Sequence, residues 1–140
     1  MLTPNNQRFT INMTNKRTSF DQEFIFKASP AILYQFLTYP DRLVSWFCDG
    51  ADIQDEIYTF EWDGSEEEWE MIDDIQEERV KFRILDNDDE DEYLEFRMYK
   101  SDITNETILE ITAFADDDEI DEERTFWENQ IKKLRIVCGG

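Results

Sequence analysis

The chain has 140 residues, enough for one domain with its own core, and 35 acidic residues against 14 basic ones set its formal charge at −21. Eleven Phe, five Tyr and four Trp argue against a disordered polyelectrolyte, because disordered chains are poor in aromatic side chains. The acidity also argues against nucleic acid and anionic membranes as partners, since both are bound through clustered Lys and Arg, and leaves a basic protein partner open.

Residues 1–19 are Asn- and Thr-rich and lack periodicity, so they are expected to form a loosely ordered arm, with at most a short strand at Phe9-Thr10-Ile11. The domain proper is expected over 20–140. Phe24 to Lys27 reads as a first strand. Ser29-Pro30 supplies a helix cap and a first-turn proline, and opens a helix that buries Ile32, Leu33, Phe36 and Leu37. Tyr39-Pro40 closes it, and Asp41 is placed to cap a second short helix, Arg42 to Phe47.

Six strand-like runs follow. Ala51 to Ile53 is short. Tyr58, Phe60 and Trp62 alternate with Thr59 and Glu61 before Asp63-Gly64, a two-residue hairpin signal. Trp69 and Met71, then Val80, Phe82 and Ile84, then Leu94, Phe96 and Met98, then Leu109, Ile111 and Ala113 repeat the alternation. Period two with one polar face predicts antiparallel strands covered on one side only. From Glu119 to Cys138, Ile120, Trp127, Ile131, Leu134 and Cys138 form a single helical stripe, with acidic residues at the positive end of the helix dipole. Sequential hairpins cannot cover their own apolar face, so this helix must lie across it. The expected class is α+β: a curved antiparallel sheet wrapped around a long C-terminal helix, with two short helices after the first strand.

Ser29-Pro30-Ala31-Ile32-Leu33-Tyr34, followed by Leu43, Trp46 and Phe47, resembles the opening of START-like, helix-grip (SRPBCC-type) domains. The nearest likeness is to the branch related to the activator of the ninety-kilodalton heat-shock chaperone's ATPase. Phe60-Glu61-Trp62-Asp63-Gly64, Phe114-Ala115-Asp116 and Trp127-Glu128-Asn129-Gln130 resemble a small bacterial START-like group. The resemblance runs from about Phe20 to the C-terminus. It implies a sheet gripping a helix, often around a pocket for an apolar ligand. Carriers, cyclases, hydroxylase subunits and co-chaperone domains share that frame, so fold alone does not name the function.

The residues argue for binding rather than catalysis. There is no histidine, so neither Cys48 nor Cys138 can form a Cys-His pair, and no zinc set is at hand. No metal and no cofactor are expected. Without a membrane-length apolar run or a signal-peptide core, the expected compartment is the cytoplasm, with both thiols free. Asp86 to Glu92 lacks the Gly and the final Glu of a calcium loop, and reads as a solvated hairpin turn. Glu66-Glu67-Glu68 and Asp116 to Glu123 read as solvated carboxylates, and Arg83 and Arg97 as outward-facing. The candidate ligand-binding set is Trp46, Tyr58, Phe60, Trp62, Trp69, Phe82, Phe96, Met98, Ala113, Trp127 and Ile131. It is expected between the sheet and the last helix, with Trp46 near the mouth. The same rings could instead fill that space as core. The leading expectation is a non-enzymatic domain for a small apolar or lipid-like ligand. The alternatives are a co-chaperone-like interaction module with an acidic surface and, further off, a cyclase- or hydrolase-like enzyme.

Overall fold

Alternation at period two builds most of the molecule, and the strands run longer than their apolar centres. The computed structural model describes residues 16–85 and 91–140. Phe9-Thr10-Ile11 and most of the acidic turn therefore lie outside the described residues. The order is β1 (Arg17–Phe26), α1 (Pro30–Thr38), α2 (Pro40–Leu43), β2 (Gly50–Gln54), β3 (Ile57–Trp62), β4 (Ser65–Ile75), β5 (Arg79–Ile84), β6 (Leu94–Lys100), β7 (Thr107–Asp116) and α3 (Ile120–Cys138). Among the described residues, the strands form one antiparallel sheet in the order β1-β7-β6-β5-β4-β3-β2. The α+β helix-grip expectation holds.

The local signals act as their chemistry requires. Ser29 Oγ accepts the Ile32 N–H at 3.2 Å and starts α1. Asp63 and Gly64, both at positive φ, join Trp62 to its partner Ser65 in a two-residue hairpin. Gly139, at φ 95°, ends α3 in the left-handed conformation that glycine adopts without strain.

Four details differ from the sequence reading. First, β1 begins at Arg17, so Arg17 to Ser19 belong to the sheet, paired with Phe114 to Asp116, rather than to the arm. Second, the second helix is Pro40–Leu43, with Tyr39 and not Asp41 at its cap; residues 44–47 continue as a turn. Third, Ile32 is exposed, because Leu33, Phe36 and Leu37 already fill the inner face of α1. Fourth, Glu92, read as part of a solvated turn, is only 6 % exposed. A bulge between Met71 and Asp73 also shifts the pleat of β4. Beyond it Ile75 is exposed, and Asp74 accepts a 2.7 Å hydrogen bond from Tyr34 Oη.

The core is one cluster between sheet and helices, with Phe60, Leu33, Leu37, Leu109, Ile111, Ile131 and Leu134 fully buried. Three amphipathic rings donate to carbonyls of the segment from α1 to the turn after α2: Tyr58 and Trp62 of β3 tie it to the sheet, and Trp46 ties the turn back onto α1. Trp46 Nε1 donates to Phe36 O at 2.9 Å, Tyr58 Oη to Thr38 O at 2.8 Å, and Trp62 Nε1 to Phe47 O at 2.7 Å. The stripe of α3 faces inward as its spacing requires: Trp127, Ile131, Leu134 and Cys138 are buried.

Burial pushes the Tyr58 phenol up to about 12 from its ordinary 10. Because the folded state holds that proton more tightly, Tyr58's contribution is complete below about pH 10 and is lost as pH rises toward 12. Cys48, pushed to about 11 by burial, acts in the same direction from its ordinary 9. The melting temperature is expected to fall steeply across this window, and Tyr58→Phe to make the fall shallower. Identical slopes for parent and variant would remove Tyr58 as a cause.

Candidate functional site

The sheet's hydrogen-bonded pairings end unevenly, and the cavity opens where they stop. Among the described residues, the β5–β6 ladder ends at Phe82↔Leu94 and the β6–β7 ladder at Glu95↔Thr112, while β7 continues to Asp116 paired only with β1. Ile84, Tyr93, Leu94, Ala113 and Phe114 border the resulting gap, and Phe47, Phe126 and Trp127 approach it from the helical side. With Trp62 and Trp69 they line a half-open cavity of about 410 Å³. Beside it lies a groove of about 550 Å³ between the turn after α2 and α3, lined among others by Trp46, Phe47, Trp62, Phe126, Ile136 and Val137.

The rings are organised, not merely adjacent. Phe47 stands edge-on to Phe60, Trp62 and Trp69 at 5.3, 5.4 and 5.7 Å, and stacks on Trp127 at 6.3 Å. Trp127 meets Phe96 and Phe126 edge-on at 5.9 and 5.3 Å. Such contacts contribute beyond area burial and hold the walls in place.

Of the eleven sequence-predicted residues, Trp62, Trp69, Ala113 and Trp127 line the cavity. Trp46 lines the neighbouring groove. Tyr58, Phe60, Phe82, Phe96, Met98 and Ile131 line neither and are buried in the core. For Phe60 the reason is visible: Phe47, Tyr58, Trp62, Trp69 and Phe82 surround its ring. Sequence reasoning missed Phe47, Ile84, Tyr93, Leu94, Phe114 and Phe126 as wall residues. Leu94 and Ile84 carried the inward alternation and could have been found. Phe114 alternates to the opposite face from Ala113, so no period-two argument could place both beside one space.

It also missed the charged residues. Arg17, Glu67, Glu92 and Glu123 complete the lining. Arg17 grips Glu92 with two hydrogen bonds, Nε at 2.9 Å and Nη2 at 2.7 Å, and its Nη1 reaches Asp116 at 3.3 Å. The hydrogen bond to Glu92 holds the guanidinium proton well above its ordinary range. Glu67 accepts the Trp69 indole N–H at 3.0 Å. Burial, then the nearby Glu119, raises the Glu123 carboxyl above its ordinary value, and Arg17 partly offsets this.

Arg17→Met is expected to destabilise the domain by about 1–3 kcal/mol, since it strips a buried carboxylate of its bidentate partner. The half-exposed guanidinium keeps the loss below that of a fully buried pair. Glu92→Leu in the same chain should recover part of the loss in denaturant melts. Additive losses would mean the two side chains do not act together.

No helix among the described residues is long and apolar enough to cross a membrane. Nor do the described residues contain a group of three His, Cys, Asp or Glu placed to hold a metal ion. The protein of solved structure BfR322, from Bacteroides fragilis, is 30 % identical, with 88 % of this chain and 92 % of that one covered at a TM-score of 0.65. The Aha1 dimer from Colwellia psychrerythraea is 19 % identical over 84 % and 92 %, at 0.71, and MLL2253 from Mesorhizobium loti 15 % over 84 % and 93 %, at 0.68. At these lower identities the likeness concerns the fold. No curated protein matches the sequence. A START-like superfamily domain matches residues 13–140. With the curved sheet, the inward α3 and the cavity between them, the chain belongs to the START-like superfamily.

Proposed function

We propose that this START-like domain binds a small apolar or lipid-like molecule, without transforming it, in the ring-lined cavity between the free end of the sheet and α3, and that it does so in the cytoplasm. One observation carries the reading. Although the core holds most of the chain's large rings, about 410 Å³ remains unfilled beside Trp62, Trp69 and Trp127, within the roughly 300–1,000 Å³ of small-molecule sites. Binding without chemistry accords with a sequence that has no histidine and with Cys48, whose thiol burial pushes to about 11.

A neutral apolar fluorescent probe is expected to bind at one saturable site, quench tryptophan emission, and raise the melting temperature by mass action, about 2.7 kcal/mol at 100 times Kd. Ala113→Phe puts a ring into the cavity wall. It should weaken the probe at least tenfold while the circular dichroism stays native. Absence of saturable binding would reject the reading. The second reading is a docking module for a basic protein. It is favoured by the charge of −21 and by exposed Val44, Phe126, Ile136 and Val137 along the neighbouring groove.

A further inference from the structure

The charges around the cavity sort its ligands. The lining holds one guanidinium and three carboxylates, Arg17 against Glu67, Glu92 and Glu123. Arg17 is committed: Glu92 takes Nε and Nη2, Asp116 takes Nη1, and the Phe114 carbonyl lies 3.4 Å from Nη2. A carboxylate or phosphate head group would have to break that set, leaving Glu92, only 6 % exposed, without its bidentate partner. It would also meet Glu67 and Glu123. Glu123 makes no side-chain hydrogen bond or ion pair among the described residues.

The walls point the same way. Phe47, Trp62, Trp69, Tyr93, Phe114, Phe126 and Trp127 give the cavity an aromatic lining whose ring faces attract cations. One ring already does so. Lys81 Nζ lies 3.9 Å from the Tyr93 centroid, though Lys81 itself is outside the lining, on the strand face it shares with its partners Asp73 and Glu95. The cavity and its rings define the site, and the carboxylates determine which head group it tolerates.

We infer that the cavity selects amphiphiles with an alkyl or aryl body and a cationic, amine-derived head group, and rejects fatty-acid-like anions. The body lies among the tryptophans, and the head lies within reach of Glu123 and a ring face. This rests on the proposed apolar-ligand reading and narrows it.

Three probes of one chain length separate the two: decyltrimethylammonium and decanoate, each below its micelle concentration, and decanol below its solubility limit, followed by calorimetry and tryptophan quenching at physiological salt. The ammonium is expected to bind at one site at least tenfold tighter than decanol, with decanoate weaker than both. Glu123→Gln should weaken the ammonium about three- to tenfold and decanol by much less, with native circular dichroism. Ala113→Phe should weaken both. Decanoate binding as well as the ammonium, or ammonium binding untouched by Ala113→Phe and so a surface counterion effect, would overturn the head-group inference while decanol binding kept the apolar site. No saturable binding by any of the three would reject both.

Discussion

Trp127→Ala is expected to cost about 3–5 kcal/mol, the range for removing a large buried ring. That is a large share of the 5–15 kcal/mol or so that holds a typical domain. The indole is 4 % exposed, stacks on Phe47 and meets Phe96 of β6 edge-on. It therefore links α3 to the turn after α2 and to the sheet at once. Because it also borders the cavity, its loss enlarges a space that is already present, and the surroundings cannot close over it. Urea melts should show the midpoint falling with an unchanged slope. Unchanged melting would mean that α3 is not held by this ring.

Phe60→Ala is expected to cost a similar 3–5 kcal/mol, for a different reason. Phe60 is fully buried and edge-on to both Phe47, at 5.3 Å, and Trp69, at 5.2 Å. Truncation removes the body that sets the angle of both rings, so near-ultraviolet dichroism should collapse along with stability. Phe60→Leu preserves most of the volume and should cost only about 1–1.5 kcal/mol. Since Phe60 does not line the cavity, that milder variant should keep probe affinity within about twofold. A tenfold loss of affinity in Phe60→Leu would return this residue to the ligand site.

The contrast between these two positions shows how far the sequence could be read. Both carry the same signal, an aromatic residue on an apolar face. Trp127 has its place in a helical stripe, and Phe60 its place between Thr59 and Glu61. Periodicity assigns each to the inner side correctly, but it carries no information about which inner side chains meet one another and which meet empty space. That depends on the sum of neighbouring volumes, to which Phe47 and Phe126 contribute from segments without strand alternation.

What the sequence determined by itself is the set of elements and their faces. A strand shows its buried side every second residue and a helix every third or fourth, so β3, β5, β6, β7 and α3 were legible from their own residues. The Ser29-Pro30 start and the Asp63-Gly64 hairpin were legible because capping and positive-φ turns involve only neighbours in the chain. The tertiary structure alone decided that β1 returns to pair with β7, Arg17 opposite Asp116. That pairing draws Arg17 out of an apparently featureless segment and onto Glu92. It also leaves the end of β7 beyond the reach of β6, which opens the cavity. These are contacts between residues far apart in the chain. Their free energy comes from assembling the open sheet as a whole, from β1 at one edge to β2 at the other, and no local pattern encodes it.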